Sequence, residues 1–271
     1  MTGIARRRRS ALGVGHTRLP LGPVYAVMLA LLYLPIILLA VFSINANTTL
    51  TFPLHGLTLD WYGEVFGDPA LLGAAKNSLL VATGAASAAT ALGFGVSLAM
   101  LRFRFAGRRV LLGLAAAPLV VPFVVLGVAL FLLFTLIGIP RSLLTVTAGH
   151  SIVALPYAAL ILLSRMIGLD PALEDAAMDL GATYPTTLRR VILPLLGPSL
   201  LSAWLTSFIV SFDEVALANF LAGGDPTFPV FLYGQLRFAQ RLPVLIAMAM
   251  LLMIGTITLT LIANRLRSSR D

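Results

Sequence analysis

Asp213 and Glu214 stand side by side at the far end of an apolar run, with Ser207 and Ser211 just before them. On a helix, Ser207, Ser211 and Glu214 fall at i, i+4 and i+7, and Thr206 and Asp213 share the neighbouring stripe. Acids in a membrane-length helix are costly and by default mark a path for ions or charged solutes. Such a stripe offers an anionic mouth for a cationic solute. Its plainer use is as interfacial acids or as a contact to a partner subunit. Counted from Leu195, Asp213 lies 18 residues along, a rise of roughly 27 Å. Both acids therefore belong near a bilayer boundary, not at the midplane.

Other chemistries lack their residues. There is no cysteine, so no disulfide or thiolate metal site is available. A phosphate-binding loop of the form G-x-x-x-x-G-K-[ST] needs a Gly-Lys pair, whereas Lys76, the only lysine, follows Ala75. His16, His55 and His150 are far apart and form neither H-E-x-x-H nor H-x₃-H, so no metal site is expected. His150 opens an apolar run, where capping or interface packing is its expected use. No serine sits in a G-x-S-x-G elbow, and Ser199 in "GPSL" starts a helix. The chain reads as a non-enzyme with no cofactor.

The elements that carry these residues are membrane helices. The 271 residues are 59% hydrophobic and 11% charged, with a mean hydropathy of +0.97. A hydrocarbon core about 30 Å thick needs roughly 20 helical residues to cross it. The expected fold is all-α and polytopic, with six spans near Leu21–Ile44, Ser78–Leu101, Val110–Ile137, Leu143–Leu163, Leu195–Leu217 and Leu242–Ile262. The first is read as a true span: its apolar run is too long for a typical signal core, and "SINANTT" is a poor cleavage site. The expected organisation is a basic tail over residues 1–20, one membrane domain over 21–264 and a tail over 265–271.

A net charge of +8 would suggest nucleic acid in a soluble protein. Here the arginines lie between apolar runs, so topology explains them better and no nucleic-acid partner is expected. With the N-terminus inside, 15 of the 19 basic residues fall on the cytoplasmic side, leaving Lys76, Arg141, Arg237 and Arg241 outside. The expectation is an inner-membrane protein in contact with lipid, with both termini cytoplasmic. Pro118 and Pro122 in the third span and Pro156 in the fourth are expected kinks. Gly93 and Gly95, with Ala85, Ala86, Ala88, Ala89 and Ala91, give the second span a small face suited to close packing.

One stretch breaks the apolar pattern: "LDPALEDAAMDLGATYPTTLRRVILP", residues 169–194. Asp170 can cap a helix whose first position is Pro171, and Glu174 and Asp175 follow at the positive end of its dipole. Leu173, Ala176, Ala177 and Leu180 fall at i, i+3, i+4 and i+7 on one narrow apolar face. Gly181 stops that helix, and a second short helix starts near Thr183 and ends before Pro194. The stretch reads as a cytoplasmic helix–turn–helix elbow between spans four and five. An alanine-rich face led by acids suits docking on protein better than lying on an anionic leaflet.

The elbow resembles the EAA loop of ABC importer permease subunits of MetI-like fold. That pattern reads Glu-Ala-Ala, three residues, Gly, nine residues, Ile, one residue, Leu-Pro. Asp175, Ala176, Ala177, Gly181, Val191, Leu193 and Pro194 match it, with Asp175 replacing Glu and Val191 replacing Ile. Glu174 could partly substitute at the acidic position. "LTLDWYGEVFGDPALLGAAKNSLLVA", "GHSIVALPYAALIL" and "SFDEVALANFLAGG" extend the likeness, most nearly to the second permease of spermidine/putrescine-type importers.

This resemblance implies that Glu174, Asp175, Ala176, Ala177, Gly181, Val191, Leu193 and Pro194 couple the chain to a cytoplasmic ABC ATPase dimer. It also implies a second permease, giving a heterodimer, and an extracytoplasmic solute-binding protein facing the loop "LAGGDPTFPVFLYGQLRFAQRLP". Ser207, Ser211, Asp213 and Glu214 are the candidate solute path, with a polyamine as the expected cargo. Iron, thiamine or an opine would fit the same class. A channel or membrane scaffold that uses the elbow for a regulatory partner is the reading from a different class.

Overall fold

The computed structural model describes residues 21–268, with side-chain surroundings for residues 22–258. The expected N-terminal tail with Arg6, Arg7, Arg8, Arg9 and Arg18, together with Arg270, lies outside the described residues. The described chain is helical: α1 Leu21–Phe42, α2 Asp60–Gly67, α3 Pro69–Arg102, α4 Arg108–Ala116, α5 Phe123–Leu136 and α6 Leu143–Ile167. These are followed by α7 Ala172–Asp179, α8 Tyr184–Thr187, α9 Leu193–Phe212, α10 Ala218–Leu221, α11 Phe228–Gln235 and α12 Leu242–Ser268. Among the described residues five helices are long and apolar enough to cross a bilayer, and a bent pair, counted as one span, brings the number to six.

That bent pair corrects the third expected span. Instead of one rod over Val110–Ile137, Arg108–Leu119 and Phe123–Leu136 meet at 111°. Pro118 and Pro122 each remove a backbone donor and clash with the carbonyl one turn earlier. Pro122 itself leaves the helical region at φ −57, ψ 133, just before the second arm starts at Phe123. Pro156, by contrast, stays inside an unbroken α6.

The second span begins nine residues earlier than expected, at Pro69. Asp68 explains the start: its side chain accepts from the N–H groups of Ala70 and Leu71 at 3.0 and 3.1 Å. Pro69 occupies the first turn, where its missing donor costs nothing.

α3, α6 and α9 form the centre of the bundle. Ala82, Ala85, Ala86 and Ala89 of α3 are fully buried, and Gly93 lies in the same seam. A Cβ on Gly93 would come within 2.8 Å of the Ala159 backbone and 2.9 Å of the Ala158 methyl. Ser97 donates to the Gly93 carbonyl at 2.8 Å and the Ala159 carbonyl at 3.1 Å. In lipid, such close backbone approach contributes packing that apolarity alone does not. Gly95 does not join this seam: a Cβ there would meet nothing within 4 Å.

At the α11 end of the bundle, Val65, Leu71, Phe228, Leu245 and Met248 join α2, α3, α11 and α12 in one core. Ser78 accepts from the Phe228 N–H at 2.8 Å, and the Asn77 amide donates to the Pro226 carbonyl at 3.1 Å. These bonds pin the start of α11 to α3.

Candidate functional site

At the opposite end, α7 carries the elbow residues. Its assigned start is Ala172, whose N–H donates to the Asp170 carboxylate at 2.9 Å, with Pro171 already in helical conformation. Its stop is a Schellman motif: Gly181 N–H donates to the Met178 carbonyl at 2.9 Å and Ala182 N–H to the Ala177 carbonyl at 3.1 Å. Gly181 adopts φ +87, a conformation that any residue with a Cβ adopts at a cost.

The two acids of the first turn part company. Glu174 is buried and ion-paired with Arg102, the last residue of α3. Asp175 is exposed, as are Ala176 and Gly181, while Ala177 is half-buried. The apolar residues of α7 are largely uncovered: Leu173 is 43%, Met178 42% and Leu180 89% exposed. So α7 is held by its base and bare on its top.

The second arm of the elbow differs from the sequence expectation. It does not end before Pro194. α8 passes through a π-helical turn, Leu188–Ile192, straight into α9. Pro194 cannot donate to the Arg190 carbonyl, and the widened turn lets Leu193 N–H reach Leu188 instead. Val191 packs half-buried against Met166, Leu169, Ile192 and Leu196. Leu193 is half-buried and Pro194 exposed.

The far end of α9 rearranges the other candidates. The helix stops at Phe212, not Leu217, so Glu214 is no longer on the stripe of Ser207 and Ser211. Glu214 is buried and turns back onto the chain ahead of it. Its carboxylate accepts from Leu217 N–H at 2.9 Å and Ala218 N–H at 3.0 Å. Its Oε2 also lies 3.4 Å from His150 Nε2, an ion-pair distance without hydrogen-bond alignment. His150 Nδ1 is 2.8 Å from Ser211 Oγ. Ser207 is fully buried, with no hydrogen-bond partner for its hydroxyl among the described residues. His150 is 1% exposed and sits two turns inside α6, where an apolar run in the sequence hid its long-range partners.

Asp213 goes the other way. It is exposed and lines a cleft of about 720 Å³ between α9, α11 and α12. It is the only charged residue among the cleft's described lining; Phe208, Phe212, Phe228, Leu252 and Met253 are typical of the rest. Sequence reasoning missed the aromatic row beside it. Trp204, Phe208 and Phe212 stack at centroid distances of 5.3 and 5.8 Å, with planes 22° and 20° apart. The signal was there in their i, i+4, i+8 spacing.

The arrangement thus has a helix with uncovered apolar residues at one end and a single acid in a largely apolar cleft at the other. No group of three or more histidine or acidic residues able to hold a metal occurs among the described residues.

A family model described as "Binding-protein-dependent transport system inner membrane component" matches residues 91–270. Over 230 residues the chain is 36% identical to the Putrescine transport system permease protein PotI of Escherichia coli K12, covering 82% of this chain and 81% of that protein. It is 32% identical over 245 residues to the Spermidine/putrescine transport system permease protein PotC of the same strain, covering 90% and 92%. PotC of Haemophilus influenzae is 36% identical over 197 residues, with 73% and 76% covered. Among solved structures, a bacterial ABC transporter involved in the import of the acidic polysaccharide alginate superposes with a TM-score of 0.69. That match has 19% identity and covers 90% of this chain and 95% of that one, so it speaks to the fold.

Proposed function

We propose, from the premise that this chain belongs to the family of binding-protein-dependent transport system inner membrane components, that it carries polyamines such as putrescine or spermidine across the inner membrane. As a family member it is a multi-pass permease subunit, and ATP hydrolysis belongs to a separate subunit. A solute-binding protein delivers the cargo. The finer assignments are ours. Residues 169–194 lie on the cytoplasmic side, together with both termini, and α7 fits a groove on an ABC ATPase dimer. A second, different permease completes the path. Asp213, at the other end of α9, receives the cation.

The observation that carries this reading is the contrast on α7. Its base is locked to α3 by the Arg102–Glu174 pair, while Leu173, Met178 and Leu180 stand exposed. A helix that served only the chain's own fold would turn those residues inward. Of the residues matching the EAA pattern, Asp175, Ala176 and Gly181 are the exposed ones and form the contact. Ala177, Val191 and Leu193 support the contact from half-buried positions, and Pro194 sets the turn into α9. Of the four residues first assigned to the solute path, Asp213 keeps that role. Ser207, Ser211 and Glu214 shape the protein behind it.

The test uses Gly181→Asp in the full transporter, with labelled putrescine and spermidine uptake in cells lacking other polyamine importers. The expected result is normal membrane insertion with loss of ATPase co-purification and of uptake. Unchanged co-purification and uptake would overturn the coupling role. Unchanged polyamine uptake on deletion of the whole chain would overturn the cargo.

A further inference from the structure

The aromatic row on α9 ends beside the one charged residue among the cleft's described lining: Phe208 and Phe212 line the cleft with Asp213, and Trp204 continues the row one turn beyond it. Trp204, Phe208 and Phe212 are half-buried, not enclosed. Parallel rings in contact sit about 3.5–4 Å apart, so centroids at 5.3 and 5.8 Å mean that the rings are offset. Offset stacking leaves part of each face uncovered, and those faces carry the negative end of the ring quadrupole. Trp204 is fixed in place: its indole N–H donates to Ser87 Oγ at 3.0 Å, and Ser87 in turn donates to the Thr83 carbonyl at 2.8 Å.

We infer that Trp204, Phe208 and Phe212 form a stepped cation–π track along which an extended organic diamine moves away from Asp213 toward the middle of α9. The inference rests on the polyamine reading above and adds how the cargo is held. Ring positions repeat about every 5–6 Å along the helix, one turn at a time. The two nitrogens of an extended four-carbon diamine lie roughly 6 Å apart, so each ammonium can face a ring while the methylenes lie on apolar surface. Such contacts are individually weak. Weak, repeated sites let a cation enter and still leave, which a single strong carboxylate site would not. The placement of Glu214 fits this scheme, since its carboxylate is spent on Leu217, Ala218 and His150 and does not face the track.

The test measures putrescine uptake against concentration in cells lacking other polyamine importers. These cells express the complete transporter carrying wild type, Phe208→Leu, Phe212→Leu, Phe208→Tyr or Asp213→Asn. Leucine keeps apolar bulk and removes the ring face, whereas tyrosine keeps the face. Each leucine variant is expected to raise the half-saturating concentration or lower the rate by about 3- to 30-fold. ATPase co-purification should be retained, and Phe208→Tyr should stay near wild type. Wild-type uptake in both leucine variants overturns the track, as does a tyrosine variant as poor as leucine. Absence of putrescine uptake by the wild-type chain overturns the cargo assignment itself, and the track with it.

Discussion

Arg102 closes α3 and Glu174 opens α7, and the two are ion-paired across 72 residues of sequence. Glu174 is 10% and Arg102 22% exposed at the side chain, so the pair is only partly screened by solvent. Removing one partner strands the other. Glu174→Ala and Arg102→Ala are each expected to lower stability by about 1–3 kcal/mol. The double variant should cost less than the sum, because the stranded charge is gone. Thermal melts of the purified complex over this mutant cycle check it; strict additivity would show that the pair contributes nothing to seating α7.

Gly93 and Gly95 are two residues apart and should respond oppositely to the same change. Gly93→Ala drives a methyl against the Ala159 backbone and Ala158, and overpacking of this kind costs about 1–3 kcal/mol. Gly95→Ala meets open space and should be neutral or slightly stabilising through helix propensity. Melting temperatures of the two variants, compared in one detergent, decide it. Equal losses would place the α3–α6 seam elsewhere.

Glu214 and Asp213 should separate stability from transport. Glu214→Ala leaves the Leu217 and Ala218 N–H groups without their side-chain acceptor and removes the carboxylate beside His150. Each buried group left unpaired costs about 1–3 kcal/mol, so this variant should melt early and accumulate poorly. Asp213→Asn touches an exposed side chain. It should melt like wild type while polyamine uptake falls. A stable Glu214→Ala protein, or an Asp213→Asn variant with a lowered melting temperature, would reverse these roles.

Asp68 gives the protein a dependence on acid. Burial pushes its carboxyl up, but the Leu71 N–H, the Arg241 guanidinium and the Ala70 N–H together outweigh that and hold it below 3.8. A group lowered on folding stabilises the protein above its unfolded value and stops doing so as pH falls through the folded value. The melting temperature should therefore hold steady above about pH 5 and decline below the ordinary aspartate value. In Asp68→Asn this part of the decline should be missing. A melting curve with the same acid slope in both proteins would remove Asp68 as a source.

Local grammar was legible in the sequence and long-range pairing was not. Asp170, Pro171 and Gly181 announce the bounds of α7 because each acts on the backbone within a few residues of itself. Pro118 and Pro122 likewise announce a kink, although the angle depends on what α5 packs against afterwards. Glu174 and Asp175 look equivalent in the chain; Arg102, brought in from α3, makes one an anchor and leaves the other outside. The pairing of Ser207 and Ser211 with Glu214 on one stripe assumed a helix running to Leu217. Glu214 itself defeats that assumption, because its carboxylate satisfies the backbone of the next turn and ends α9. The row of Trp204, Phe208 and Phe212 was not legible because nothing local distinguishes rings that line or adjoin a cleft, as Phe208 and Phe212 line this one, from rings in lipid.

The passage from Tyr184 to Phe212 has a mechanical consequence. Its 29 residues stay helical through the π turn, giving a rod of roughly 44 Å with no non-helical segment along it. Length cannot be stored or released in such a rod, so a push at the Tyr184 end arrives at Phe212 as tilt and roll. The π turn, where the hydrogen-bond ladder widens, and Pro198, which removes one ladder bond, are the points about which that rotation can pivot. A sideways step of a few ångströms beside α7 becomes a change in the angle at which Asp213 and the rings next to it face the cleft.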